Sequence, residues 1–342
     1  MSSGEVFVVA AVQAAPVFLD REATVVKTVG LIEEAAKQGA RLIAFPECWI
    51  PGYPWWIWLD SPAWGMQFVA KYSQQAMSAS GPEVVRIAAA AQAHNINVVM
   101  GFTEKAGGSL YIGQLLVSDE GQVMASRRKL KPTHVERTVF GEGDGSDLKV
   151  HPTSIGNLGA LCCWEHLSPL NKYALFAQNE EIHVGAWPSF SIYEGDAHAL
   201  SPEVNIAVSQ VYAVEGQCFV VAPCSLITAE IQDLLCDSDT KRQLLKLGGG
   251  AARIFGPDGR SLAKPLAPDA EGILFATLDL QQIALAKAAA DPVGHYSRPD
   301  VLRLLFNPEP QRRVQRFSSG FETSDQDEGE PALFRPADEV FQ

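Results

Sequence analysis

Glu47, Lys129 and Cys163 each stand at the end of an expected strand, and together they are residue types suited to one kind of chemistry. A carboxylate can take the proton of a thiol, and a neighbouring cation can keep that carboxylate charged and offer charge to a negative centre on the substrate. The sum is covalent catalysis on an electrophilic carbon. Each residue also has an ordinary reading. Cys162 and Cys163 could be two small core residues, because free cysteine is among the most buried types. Glu47 could be a loop acid facing water, because an unpaired Glu is rarely buried. The run Arg127-Arg128-Lys129-Leu130-Lys131 could be a solvated cationic edge. Spacing alone does not show that the three residues meet, although strand ends on one side of an α/β sheet are where sites are commonly built.

The elements that would position them follow from periodicity. Residues 6–12 and 41–45 are apolar strands, and between them 22–38 carries Val25, Val29, Ile32 and Ala36 at helical spacing before Gly39. Glu47 lies just past the second strand. The stretch 49–58 holds Trp49, Tyr53, Trp55, Trp56 and Trp58 broken by Pro51, Gly52 and Pro54, so it is a folded loop of a kind that can wall an apolar pocket. A helix over 82–94, with Val84, Val85, Ala88 and Ala91 on its apolar face, precedes a strand at 96–101. Residues 111–117 and 123–128 then form a hairpin that delivers Lys129.

Next come Glu136 and the glycine-rich loop 141–145. The run 158–162 is a buried strand ending at Cys162, and 167–178 reads as a helix. A cysteine at that junction sits near backbone N–H groups and a positive dipole end, which favour the thiolate. Further strands fall at 182–187, 219–224, 251–255 and 272–278. A helix starts at Ser201-Pro202 with Val204, Ala207, Val208 and Val211 inward, and 226–247 is a polar helical excursion. Strands and helices alternate, which predicts a layered α/β fold with helices outside. Residues 1–307 read as a single domain. From 308 the composition shifts, and the acidic end at 318–342 is expected to be disordered.

The net charge of −13 comes with no basic cluster, which argues against a nucleic-acid partner. No apolar run reaches the roughly 18 residues of a membrane span, and the N-terminus lacks the basic and apolar regions of a signal peptide. A cytoplasmic location is expected. The six cysteines form no Cys-x-x-Cys pair, so reduced thiols are the default. Cys163-x-x-His166 is only a fragment of a metal signature, and neither metal nor organic cofactor is expected.

Three segments, Phe45-Pro46-Glu47, Arg128-Lys129-Leu130-Lys131-Pro132-Thr133 with Glu136-Arg137, and Cys162-Cys163-Trp164-Glu165-His166, resemble in kind and order the motifs of the nitrilase superfamily of carbon–nitrogen hydrolases. The resemblance covers roughly residues 6–300. It implies Glu47 as general base, Lys129 as stabiliser of the tetrahedral intermediate, Cys163 as nucleophile and Glu136 as a supporting glutamate. Lys129 rather than Lys131 matches the Arg-Lys pattern, and Cys162 then becomes the last, inward-packed strand residue. Pro-Thr-x-x-Glu-Arg, Gly-Glu-Gly-Asp-Gly and Cys-Trp-Glu-His are similar to the true nitrilase branch, which implies conversion of a nitrile and two waters to a carboxylic acid and ammonia.

Cyanide hydrolysis is the nearest alternative, an amidase a weaker one, and a catalytically silent assembly module the non-enzymatic one. The family further implies a four-layer α-β-β-α sandwich completed by subunit stacking, with a homo-oligomer built from dimers into a spiral or filament; 226–247 and 296–317 are candidate contacts. Tyr53, His134, Trp164 and Trp187 are candidate pocket residues, and the choice among aliphatic, aromatic and arylaceto-nitriles stays open. Glu47→Ala and Lys129→Ala are each expected to abolish turnover with the fold intact.

Overall fold

A computed structural model describes residues 6–312 and 314. The strands, in chain order, are β1 (Val6–Gln13), β2 (Ala40–Ala44), β3 (Asn97–Ala106), β4 (Ser109–Val117), β5 (Val123–Arg128), β6 (Phe140–Gly141), β7 (His151–Thr153), β8 (Gly156–Cys162), β9 (Ile182–Ala186), β10 (Phe219–Ala222), β11 (Arg253–Phe255) and β12 (Gly272–Asp279). The helices are α1 (Arg21–Lys37), α2 (Pro62–Gln75), α3 (Pro82–His94), α4 (Pro169–Phe176), α5 (Pro202–Gly216), α6 (Ala229–Leu235), α7 (Asp239–Leu244) and α8 (Gln281–Ala289).

Two mixed sheets form. The first runs β12-β1-β2-β3-β4-β5, with β6 added beside β4; the second runs β11-β10-β9-β8-β7. Each has parallel pairs at its centre (β1–β2 and β2–β3; β8–β9 and β9–β10) and antiparallel pairs towards its rims, apart from the short parallel β4–β6 pair. The parallel strands explain the continuous apolar runs at 6–12, 41–45 and 158–162, since both of their faces are covered.

Alternation along β1 assigns the layers. Phe7, Val9 and Ala11 pack with Leu158, Ala160, Ile182 and Val221 of the second sheet. Ala10 and Val12 pack with Val25 and Ile32 of α1 and Ile87 and Ala91 of α3. On the outer side of the second sheet lie Ala174 and Leu175 of α4 and Tyr212 and Ala213 of α5. The four layers therefore belong to one chain. The sandwich does not need a second subunit to complete it, which corrects that part of the expectation.

Two helical faces also differ from the sequence reading. In α3 Val85 is exposed and Ile87 is buried; in α5 Asn205, Ser209, Tyr212, Ala213 and Gly216 face inward while Val211 faces out. Helices α2 and α8 and the short strands β6 and β7 had no sequence assignment. The tail 318–342 lies outside the described residues.

Candidate active site

Lys129 holds the site together. β5 delivers it, and its backbone N–H extends the β5–β4 pairing by donating to the Ile112 carbonyl at 2.7 Å. Its ammonium is fully buried and donates to Glu47 Oε1 and to Glu136 Oε2, both at 2.8 Å. Burial alone would lower the Lys129 pKa, but the two carboxylates outweigh it and hold the cation charged. Lys131, by contrast, is exposed and pairs with Glu142.

Glu47 follows β2, where Pro46 has no N–H to continue the ladder. The Glu47 backbone N–H crosses to the Trp187 carbonyl at 3.3 Å, which ties the ends of the two sheets. On its other side Gly101 of β3 lies so close that a Cβ there would come within 2.8 Å of Glu47 Cα. Only one carboxylate oxygen is satisfied: Glu47 Oε2 is buried without a hydrogen-bond partner. Burial pushes this carboxyl up, and the charge of Lys129 opposes the shift without cancelling it. The expectation that Lys129 would simply keep Glu47 ionised was too strong.

Glu136 sits in a 3₁₀ turn, His134–Thr138, and closes a capping box with Thr133. It accepts from the Thr133 N–H at 2.6 Å and from the Tyr53 hydroxyl at 2.7 Å as well as from Lys129.

Cys163 comes directly after β8 and opens a second 3₁₀ turn, Cys163–Leu167. Its φ of +46° is left-handed, a sharp elbow for a residue with a Cβ. Of the six cysteines, all unpaired, it alone has more than 2 % of its surface exposed, at 8 %. Cys162 is wholly buried at the strand end, as expected. The thiolate expectation does not hold: burial pushes the Cys163 thiol well up, the charge of Glu47 adds to this, and Lys129 and the Trp164 N–H pull the other way. A single 3₁₀ turn offers less than the dipole of a long helix. The resting group is a thiol, and the charges of Glu47 and Lys129 bear directly on it.

A buried ion pair that the sequence reading did not single out fixes the elbow to the lysine strand. Arg127 lies two residues before Lys129, and Glu165 two after Cys163. Arg127 Nη2 donates to Glu165 Oε1 at 2.8 Å and Nη1 to Oε2 at 3.0 Å, while the carboxylate also accepts from the Cys162 and Leu130 N–H groups, each at 2.8 Å. Burial works to raise the Glu165 carboxyl, but Arg127 and the two N–H groups outweigh it. The signal was the period of a strand: Arg127 and Lys129 share one face, so a Lys129 turned into the site takes Arg127 to the same side.

Cys163 lines a cavity together with Tyr53, Trp55, Trp58, Trp164, Phe190 and Leu200 among others. The expected pocket residues divide. Tyr53 and Trp164 line the cavity, with the Trp164 indole N–H bound to Asn205 Oδ1 at 2.9 Å. His134 is exposed and stacks on Trp58, 5.7 Å between rings. Trp187 is buried outside the lining, donates to Ser209 and stacks on His166. Both support wall residues without reaching the cavity.

His166 does not pair with Cys163 as a metal ligand, because Nδ1 meets the Cys163 carbonyl and Nε2 meets His183. No cluster of three or more His, Cys, Asp or Glu side chains suited to a metal occurs among the described residues.

A buried Cys–Glu–Lys grouping at the strand ends of a two-sheet sandwich is the pattern the carbon–nitrogen hydrolases share, and residues 8–288 match the Carbon-nitrogen hydrolase family. The chain belongs to that family. Within it, the chain sits in the nitrilase branch: it is 61 % identical over 302 residues to a nitrilase of Pseudomonas syringae pv. syringae (strain B728a), covering 88 % of this chain and 90 % of the relative. An aliphatic nitrilase of Rhodococcus rhodochrous is 53 % identical, covering 88 % and 82 %. An arylacetone-specific nitrilase of Alcaligenes faecalis is 52 % identical, covering 92 % and 89 %. The fold is similar to that of a crystallised carbon–nitrogen hydrolase from Helicobacter pylori G27, with a TM-score of 0.66 at 19 % identity over 86 % of this chain and 97 % of that one.

Proposed function

We propose that the protein hydrolyses an organic nitrile to its carboxylic acid and ammonia, with Cys163 as nucleophile, Glu47 as general base, Lys129 as electrostatic stabiliser and Glu136 as the group that holds Lys129. One observation carries this most: the unpartnered Glu47 Oε2, in a carboxyl that burial has pushed up, close to a thiol that burial has also pushed up. A carboxylate whose proton affinity burial has raised takes a thiol proton at smaller cost than an ordinary carboxylate would. Glu47 takes the thiol proton as sulfur adds to the nitrile carbon, and a thioimidate forms once the nitrile nitrogen is protonated. A first water, deprotonated by Glu47, adds to that carbon. Ammonia leaves with the returned proton to give a thioester, and a second water releases the acid and restores the thiol. Lys129, fixed by two carboxylates, faces the negative charge that develops at each addition.

The aromatic lining beside Cys163 favours an organic group over cyanide. The deciding assay is ammonia release on cyanide, a small dinitrile, benzonitrile and phenylacetonitrile. Turnover of organic nitriles supports the reading, whereas activity on cyanide alone or amides alone would reject it.

The assembly belongs to the same proposal. The Cys163–Leu167 turn, α4 and α5 turn Leu167, Leu170, Val211 and Val214 to solvent, a stripe whose burial against a second copy would yield the expected dimer. Unpaired thiols fit a cytoplasmic setting. Residues 1–307 are taken as the catalytic unit with an extension from 308, which starts by laying the Gln311 N–H on Asp144 Oδ2 at 2.8 Å.

A further inference from the structure

Outside the cavity lining, four buried polar side chains form a row that the reaction above leaves unused. The Tyr212 hydroxyl donates to Glu180 Oε2 at 2.6 Å, and Glu180 Oε1 lies 2.6 Å from His183 Nδ1. His183 Nε2 lies 2.9 Å from His166 Nε2, and His166 Nδ1 lies 2.6 Å from the carbonyl oxygen of Cys163. Glu180, His183 and His166 are each no more than 1 % exposed. The backbone makes room for them. A Cβ on Gly159 of β8 would come 2.7 Å from Glu180 Cδ, and one on Gly185 of β9 would come 3.1 Å from His166 Nε2.

Hydrogen-bond chemistry gives the row a direction. A carbonyl oxygen can only accept, so His166 Nδ1 carries a proton. In a neutral imidazole Nε2 is then a lone pair, so His183 Nε2 must donate to it. His183 Nδ1 is in turn an acceptor, and Glu180 Oε1 carries the proton that meets it, leaving Oε2 to accept from Tyr212. Glu180 and His183 lie at ion-pair distance, yet burial opposes both charges: it pushes Glu180 up to about 8, His183 well down and His166 down to about 3. The charges that also bear on this row are Glu165 and Lys172 at His166, and Arg127 and Glu165 at His183.

The row ends on a particular peptide bond. The carbonyl of Cys163 and the N–H of Trp164 are two ends of one planar unit, pointing in opposite directions. That N–H is the backbone donor that favours the Cys163 thiolate. The unit follows a residue held at a φ of +46°, a conformation costly enough that its surroundings must hold it. We propose that Tyr212, Glu180, His183 and His166 form a one-way hydrogen-bond chain that grips the Cys163 carbonyl and so aims the Trp164 N–H at the nucleophilic sulfur. Each donor polarises the next, so the grip is stronger than a lone imidazole would give. These are positioning residues, and none touches substrate. The inference rests on Cys163 as nucleophile, not on the choice of nitrile.

Two pairs of variants test it in the full chain. His166→Leu removes the donor to the carbonyl, while His166→Asn keeps an N–H where Nδ1 stood. Glu180→Leu breaks the chain, while Glu180→Gln can still donate to His183 and accept from Tyr212. Alkylation of Cys163 by iodoacetamide against pH, corrected with Cys163→Ala, reads the thiol without any nitrile turnover. His166→Leu and Glu180→Leu are expected to raise the alkylation midpoint by about one pH unit and to lower kcat about tenfold or more with KM within about threefold. Asn and Gln are expected to recover kcat to within about threefold of the starting enzyme. An unshifted alkylation profile in the leucine variants, or Gln as damaging as Leu at 180, would overturn the chain. If no variant or parent turns over a nitrile, alkylation still decides the inference while the proposed reaction fails separately.

Discussion

A carboxylate that must accept a proton at the start of a reaction has to keep one oxygen free, and Glu47 does. Glu47→Gln keeps the bond to Lys129 geometrically possible but removes the base, so kcat is expected to fall by about 10² to 10⁴ with little change in thermal stability, as measured by steady-state ammonia release and calorimetry. Lys129→Ala will behave differently from the sequence expectation of an intact fold. The ammonium is the partner of two buried carboxylates, and removing it leaves them uncompensated. We expect abolished turnover together with about 3–5 kcal/mol lost in denaturant unfolding; an unaltered midpoint would contradict the observed pairing. The pH profile follows from Glu47 as well. The base works ionised, and its carboxyl is raised by burial, so activity is lost as pH falls through a value above the ordinary carboxylate range. The acid limb of kcat/KM is expected above about pH 5, and a midpoint near 4 would show an unperturbed base.

At the scale of elements, the site depends on strands brought closer than side chains allow. Gly101 lets β3 lie against Pro46 and Glu47. Gly101→Ala is expected to cost about 1–3 kcal/mol of stability from overpacking and to lower kcat about 10² by moving the base; wild-type kinetics would show that the strand can yield. Glu47 and Cys163 were legible because each closes an apolar run, and Lys129 because a hairpin delivers it and the Arg-Lys motif separates it from Lys131. Glu165, Glu180 and His183 were not, since their meaning lies in partners far along the chain or across a strand pair; for Glu180 and His166 only the in-strand glycines Gly159 and Gly185 hinted at close approach, whereas Arg127 was signalled by sharing a strand face with Lys129. Helix α5 was found by its Ser201-Pro202 start but rotated wrongly. Asn205, Ser209 and Tyr212 turn inward because Trp164, Trp187 and Glu180 need them, and a hydrophobicity pattern cannot see such demands.

That rotation has a consequence for the whole molecule. With its polar residues turned inward, α5 leaves Val211 and Val214 outside beside Leu167 and Leu170 of the preceding turn and α4. Val211→Glu is therefore expected to shift the protein to a smaller species in sedimentation or size-exclusion with light scattering, and an unchanged assembly would move the contact to another surface. Within one chain the two sheets, their helical covers and the site form a continuous body. The covalent role of Cys163 remains the claim on which the rest depends. It is tested most directly by quenching the enzyme in acid during nitrile turnover and mapping its peptides by mass spectrometry. The account predicts the acyl or imidoyl mass of the substrate on the peptide carrying Cys163, absent in Cys163→Ala, which releases no ammonia. Turnover that persists in Cys163→Ala, or an adduct confined to another cysteine, would contradict it.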